Sequence, residues 1–558
     1  MTLVRAARIR LPHVPAADLR RERTTVLAVF AAILLLQLEL VFNRPVNWDE
    51  FWHLSLVHAQ AQGRLSDVLQ VLHVRALGWI AALPLDEIGQ IRVARLVMLA
   101  CEGVTLGAIY GLARHFAQAR IALLAPLLYL SAGFVFQHGM SFRADPLVTA
   151  LLMGALWLLA TGRLQARVLI GMAVLLALAV FATIKAALFA PAFAALAWYR
   201  IAQSEHPRKL TLHLAAMAAL AAALLAALIA LSQAYAPPAA NAGAGATIKA
   251  SREMLLAEGL FPRWPYLLLM IGSAPIFAVG LVAALAGLPR SPIAPIRRLV
   301  LAGLILPLLS VAFYRNAFPY FYAFILAPVA VGMVPGVAWL ARRYSARTLA
   351  FGCLISCAVL SAITPRGVLD DQRSVLREVH RAFPKPVAYF DFAGMVSAFP
   401  KANVFMSTWG QTRYRNGELE SYAQAIVHRD VPLLLANNDV LRRNQSAKGP
   451  AWELLPADAA LLRSAYLQHW GPIWIAGRRF AEGSAAQDFV LPAGGTYRLT
   501  GAAALIDGRR IEAGSAIALT RGHHHFAPLG PAAAELRWGP DLSRPAEQAP
   551  TGLPFRDF

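Results

Sequence analysis

The chain is poor in charge. Asp, Glu, Lys and Arg make up 15% of its 558 residues, against about 25% in a soluble globular protein. That excludes an ordinary cytosolic enzyme, and a hydrophobic content of 58% excludes disorder. Acid is scarcer than base, 31 residues to 52, for a net charge of +21, and only six of the basic residues are lysine. In a soluble chain such a balance would suggest nucleic acid. In a membrane chain the charges are sorted by side first, and no nucleic-acid partner is expected. Cysteine is nearly absent. Cys101, Cys353 and Cys357 all fall in apolar stretches, and no CxxC occurs, which excludes a disulfide framework and leaves packing as their role. Repeats of 20–50 residues and heptad arrays are absent too.

What is there is a series of long apolar runs. The first, TTVLAVFAAILLLQLELVF at about 24–42, follows a tail bearing Arg5, Arg8, Arg10, Arg20, Arg21 and Arg23. It is long enough to cross a bilayer, and with no small-x-small cleavage site after it, it reads as a retained signal anchor. Further runs start near 92, 119, 146, 168, 186, 211, 266, 299, 319 and 348, giving about 11 transmembrane helices. With the N-terminus cytoplasmic, every inner loop is basic: Arg114 and Arg120, Arg163 and Arg167, Arg200 with Arg208 and Lys209, Arg290 with Arg297 and Arg298, and Arg342, Arg343 and Arg347. This is the asymmetry of the positive-inside rule, and an odd count puts the C-terminal segment outside.

Composition changes at the breaker cluster Thr364-Pro365-Arg366-Gly367. The expected organisation is therefore a cytoplasmic tail (1–23), a transmembrane domain (24–364) with its first outer loop at 43–91, and an extracytoplasmic soluble domain (365–558). The soluble domain reads as α/β over 365–482, with strands at 387–392, 403–407 and 432–437. A β-sandwich-like part follows at 483–558, where Asp507-Gly508 marks a hairpin.

Ionisable residues at membrane boundaries are costly and mark candidate sites. Just past the first span, Trp48-Asp49-Glu50-Phe51-Trp52-His53 sets a carboxylate pair between two tryptophans. The rings suit the headgroup level, and Asp49 could act as general base on an acceptor hydroxyl; the alternative is a solvated interfacial loop. Arg143-Ala144-Asp145-Pro146 opens the fourth run, where Asp145 also reads as an N-cap with proline at the first helical position. Lys185 interrupts an apolar stretch and suits a phosphate partner, or else snorkels to the headgroups. Arg315, Pro319, Tyr320 and Tyr322 lie at another outer junction, an aromatic belt at the least. His53, His58 and His73 share the first outer loop, with His53 one turn after Asp49. His53 and His73 could ligate a metal, but no complete ligand set is legible. His523-His524-His525 alternates faces on a strand and reads as a surface feature.

Four passages carry a resemblance: Trp48-Asp49-Glu50, Arg143-Ala144-Asp145-Pro146-Leu147, Thr183-Ile184-Lys185-Ala186, and Arg315 with Phe318-Pro319-Tyr320. In order, spacing and common outer side, the chain resembles the GT-C glycosyltransferases of the aminoarabinose-transferase and protein O-mannosyltransferase type. It is also similar to the rhizobial lipopolysaccharide galacturonosyltransferases. The resemblance implies a GT-C-like membrane fold. It implies inverting transfer of a sugar from a polyprenyl-phosphate donor to an acceptor hydroxyl or phosphate, on lipid A or lipopolysaccharide, a glycan or a protein, at the periplasmic face. It implies catalytic roles among Asp49, Glu50 and Asp145, with Asp49 as base, and donor-phosphate contacts among Lys185, Arg315 and Arg75. The pocket candidates are Trp48, His53, His73, Arg143, Tyr320 and Tyr322.

Where relatives often carry a Pro-Pro after a Lys or His in the first loop, this chain has Leu72-His73-Val74-Arg75-Ala76, and Ala186 follows Lys185 where glycine is usual. No particular cofactor is legible, and a divalent metal is left open. The expected location is the bacterial inner membrane, multi-pass. The competing readings are a lipid-linked sugar transporter or flippase, and a membrane-anchored glycan-binding protein. A transporter would carry its polar groups near the midplane, often in repeated broken helices. A binding protein would leave Asp49, Lys185 and Arg315 unexplained.

Overall fold

The computed structural model describes residues 16–235, 258–290, 293–446, 449, 451–539 and 542–555. A long helix α1 (Ala16–Asn43) is followed by α2 (Trp48–Ala61) and a short α3 (Leu72–Ala76). The chain re-enters as α4 (Glu87–Phe116), α5 (Ala119–Leu130), the short α6 (Gly133–His138), α7 (Ala144–Thr161), α8 (Ala166–Ala182), α9 (Ala190–Ala202) and α10 (Pro207–Ala234). Further helices run from Trp264 to Ile363.

Seven helices among the described residues are long and apolar enough to cross a membrane. Two pairs, Trp264–Ser273 with Pro275–Gly287 and Pro319–Gly332 with Val334–Arg343, bend by 101° and 70° and bring the number to nine if each pair is one span. Proline explains the bends, because it starts the second helix of the first pair and stands at the head of the second helix in the other. The runs expected at 119 and 168 are the short helices α5 and α8, of 12 and 17 residues. At 1.5 Å per residue, α5 falls well short of a hydrocarbon core of about 30 Å. The chain is a multi-pass membrane protein. Its helices pack on a spine at Pro319–Gly332, every residue of which is buried.

After Ile363 the fold changes to mixed helix and strand. Strands β1 (Tyr389–Phe390), β2 (Leu433–Leu435), β3 (Tyr466–Trp470) and β4 (Ile473–Phe480) precede β5 (Gln487–Leu491), β6 (Gly495–Gly501), β7 (Ala504–Ile506), β8 (Arg509–Ile511), β9 (Ala516–Leu519), β10 (Gly522–Pro528) and β11 (Ala534–Trp538). Seven strands form one sheet in the order β1-β2-β4-β11-β6-β9 with β3 also on β4; β5-β10-β7-β8 form a second sheet. The first sheet runs straight across the expected break at 482/483, because β4 pairs with β2 and with β11. No strand forms at 403–407, where the chain is irregular. The hairpin at Asp507-Gly508 has φ of +52° and +76°, the left-handed pair that a two-residue turn of this kind requires.

The soluble part is not merely tethered. One hydrophobic core joins Phe51, Leu54, Val57 and Val74 of the first outer loop to Tyr389, Met395, Leu433, Ile473 and Phe555. Buried Gln372 stitches the two parts: its amide donates to the carbonyls of Val46 and Pro554, each at 2.7 Å, and its oxygen accepts from the Val46 N–H at 3.0 Å. Asp391, paired with Lys401 at 2.9 Å, accepts from the amides of Gly394 and Met395. The resulting turn presses Gly394 (φ +77°) against α2, where a Cβ would lie 2.8 Å from Ser55.

Candidate active site

The site is built from the start of α2. Asn47 caps the helix: its side chain accepts from the Asp49 N–H at 3.0 Å, and Glu50 Oε2 accepts from the Asn47 N–H at 3.0 Å. This reciprocal cap is encoded by the Asn-x-x-Glu spacing. Glu50 does more than cap. It holds Arg95 of α4 through two bonds, of 2.8 and 2.6 Å, and accepts from the Phe142 N–H at 3.0 Å. Arg95 in turn donates to the carbonyls of Val41, Arg44 and Pro45. Both side chains are at most 2% exposed. Burial alone would raise the Glu50 pKa, but the Arg95 charge and these hydrogen bonds hold it below the usual carboxylate value. Glu50, a candidate for catalysis from sequence, is thus saturated with structural partners. It fixes the chain neighbours Asp49 and Phe142-Arg143 relative to each other.

Four charges meet above this scaffold. Arg143 donates from Nη1 to Asp49 Oδ2, and its Nε lies 3.4 Å from Asp145 Oδ2. Lys185 Nζ donates to Asp145 Oδ1. Lys185 is delivered by the break between α8 and α9, where the Thr183 hydroxyl accepts from the Lys185 amide. Tyr320 floors the cluster, with its ring centroid 3.4 Å from the Arg143 guanidinium carbon and 5.5 Å from Lys185 Nζ. Desolvation would lower the Arg143 pKa, but Asp49 raises it above the ordinary arginine value, so its charge is permanent. Arg143, not Asp145, is the N-cap residue of α7. The N-cap reading of Asp145 fails because its carboxylate is spent on Lys185 and Arg143.

The other candidates separate. His53 and His73 join the cluster, bonded to each other at 2.9 Å (Nδ1 to Nε2) with Phe142 against both rings. That bond uses one nitrogen of each ring, and among the described residues no group of three or more His, Cys, Asp or Glu could hold a metal. The pair by itself is two ligands and not a complete set. Trp48 packs on Phe392 and Trp52 stacks on Phe405, at 5.6 and 4.9 Å between ring centroids, so the C-terminal part roofs this loop. Arg315 pairs with Glu258 at 2.6 Å, and Glu258 also holds Arg263; this ion pair is separate from the four-charge cluster. Arg75 turns aside to Ser232 of α10. Tyr322 is buried against Phe134. Arg95 escaped sequence reasoning, although an arginine inside an apolar run was itself the signal. His523 and His525 are exposed, and His525 pairs with Asp488, but His524 is buried on the other face of the strand and pairs with Asp507, so the surface reading fails for that one ring.

These helices, with a charged cluster under a β-rich domain, form a GT-C-like membrane fold. The family profile of the dolichyl-phosphate-mannose-protein mannosyltransferases matches residues 76–232. The structure is similar to that of ArnT from Cupriavidus metallidurans bound to undecaprenyl phosphate, with 14% identity and a TM-score of 0.55, covering 74% of this chain and 93% of that one. The oligosaccharyltransferase of Archaeoglobus fulgidus in complex with Zn and sulfate aligns at 10% identity and a TM-score of 0.47, over 92% of this chain and 97% of that one. No curated protein sequence matches the chain. The chain thus shares its fold with ArnT, and its residues 76–232 resemble the dolichyl-phosphate-mannose-protein mannosyltransferases.

Proposed function

We propose that this enzyme moves a sugar from a polyprenyl-phosphate donor to an acceptor hydroxyl or phosphate at the periplasmic face of the inner membrane, with inversion. The observation that carries the reading is the four-charge cluster of Asp49, Arg143, Asp145 and Lys185 beside the first span. Asp49 Oδ1 is left for the acceptor while Oδ2 rests on Arg143. As the acceptor oxygen attacks the anomeric carbon, Asp49 takes its proton, and the bond from that carbon to the phosphate oxygen breaks. The charge that develops on the departing lipid phosphate needs fixed cations in a site shielded from water. Arg143 and Lys185 supply them, each with little more than a tenth of its side chain exposed. At rest the two acids balance the two bases, so the incoming phosphate competes with Asp49 and Asp145 for the cations. Arg143 then passes from Asp49 to the phosphate and frees the base when donor is bound.

The placement of Arg143 supports it as the second phosphate contact, the role expected of Arg315. Lipid A or lipopolysaccharide, a glycan and a protein all remain acceptors within this reading, and the roof over α2 is where such an acceptor would enter. The test is transfer in vitro. Purified protein is given radiolabelled polyprenyl-phosphate sugars one at a time with a membrane extract as acceptor. Wild type transfers label and Asp49→Asn, inserted normally, does not. A fully active Asp49→Asn protein removes Asp49 from the mechanism, and label that crosses the bilayer of proteoliposomes without transfer makes the protein a flippase.

A further inference from the structure

The His53–His73 pair has a use that the transfer mechanism does not assign. His73 is 1% exposed, and its Nδ1 has no hydrogen-bond partner. Its Nε2 meets His53 Nδ1 at 2.9 Å. One proton serves that bond, and which ring carries it decides what both ends present. If His53 held it, His73 would bury an N–H donor with nothing to accept it, and orphaned buried N–H groups are rare in folded proteins. The proton therefore sits on His73 Nε2, and Nδ1 is a bare ring nitrogen. His53 Nδ1 then accepts, and His53 Nε2 must carry the remaining proton of the neutral ring. Both rings are neutral. Burial lowers the His73 pKa to about 3, with Asp145 opposing and Arg143 and Lys185 adding to it, and burial with His73, Arg143 and Lys185 beside it takes His53 well below its ordinary value. Unlike His73, His53 is only half-buried, and it lies one turn after Asp49 on α2.

We infer that His53 Nε2–H is a fixed, uncharged hydrogen-bond donor to a hydroxyl oxygen of the transferred sugar, and that His73 is the positioning residue that sets its tautomer. This rests on the glycosyltransferase reading and deepens it. Phosphate oxygens are already served by two cations, whereas a neutral donor suits a neutral oxygen. The pair is thus a specificity element that reads one sugar position.

The experiment measures binding and transfer separately, with full-length protein in nanodiscs. The probes are polyprenyl-phosphate glucose and mannose and each of their monodeoxy analogues. His53→Leu is expected to weaken use of the hydroxylated donor roughly tenfold or more, and to change nothing for the one analogue that lacks the oxygen read. His53→Gln, which keeps an N–H, restores much of the loss. His73→Leu shows the same analogue dependence, His73→Gln rescues it, and the double leucine variant is no worse than His53→Leu alone. Equal losses across all analogues, or additive losses in the double variant, would overturn the assignment. If wild type binds donors with this pattern but transfers no sugar, the transfer reading falls and the contact stands. If it binds no polyprenyl-phosphate sugar, both fall.

Discussion

Replacing Glu50 with alanine separates a scaffolding carboxylate from a catalytic one. The substitution strands Arg95, whose side chain is 2% exposed, and leaves the N–H groups of Phe142 and Asn47 without their acceptor. Removing one partner of a buried ion pair costs about 3–5 kcal/mol. Each orphaned backbone donor adds about 1–3 kcal/mol, less where water reaches it. The three carbonyls that Arg95 retains soften the loss, so the low end of that sum, about 5 kcal/mol, is expected in all. Transfer should fall in parallel, because Asp49 and Arg143 are chain neighbours of the groups released. Thermal unfolding of the purified protein, read beside the transfer rate, tests this. Glu50→Gln keeps most of the hydrogen-bonding shape and should retain part of both. The double variant Glu50→Leu with Arg95→Met should recover stability, since apolar replacement of a buried pair is often neutral. It should not recover transfer, because nothing then holds the Phe142 amide. A Glu50→Gln protein that melts like wild type yet transfers nothing would refute the reasoning and make Glu50 a catalytic group.

Other outcomes follow from the same geometry. Lys185→Met should raise the donor KM about tenfold, the order expected for one charge-assisted contact, with little change in membrane yield; an unchanged KM would return Lys185 to a headgroup contact. Gly394→Ala should loosen the roof by about 1–3 kcal/mol, through left-handed strain and the close approach to Ser55, measured as faster proteolysis after residue 364; wild-type resistance would deny the contact. His380 donates to or shares a proton with Glu87 at 2.8 Å, and that bond raises its pKa above the ordinary 6.5. Its stabilisation is therefore complete below about pH 6.5 and is lost as pH climbs through the raised value. Because the ring is 41% exposed, the effect is at most about 1 kcal/mol, and His380→Gln should flatten the melting-versus-pH curve in that window. A cysteine replacing Ser484 should react with an impermeant thiol reagent from outside the membrane; labelling only after lysis would invert the topology.

Much of this was legible because charge is so scarce here. Asp49, Arg143, Asp145 and Lys185 stand out as ionisable residues at apolar boundaries, and the fold brings together those four from three separate runs. Glu50 was legible as an acid but not as a scaffold. Its partner Arg95 lies 45 positions away within an apolar helix, and only packing reveals such a pair. Arg315 had the residue type and side expected of a phosphate contact, yet it lies on Glu258, which it shares with Arg263, and not in the four-charge cluster. The hairpin at Asp507-Gly508 was readable because its turn chemistry is local. The pairing of β4 with β11 was not, since strand partners distant in sequence leave no mark on either strand.

The core shared between the first outer loop and the C-terminal domain also sets a timetable. During synthesis the loop bearing Asp49 emerges early, but Met395, Leu433, Ile473 and Phe555, which complete its core, are made hundreds of residues later. Until then Phe51 and its neighbours stand open at the membrane surface, and the enzyme is inserted before it is assembled. A nascent chain stalled or cut before those residues would be a membrane protein of nearly full span number with no finished active site. Its exposed apolar loop would mark it for quality control.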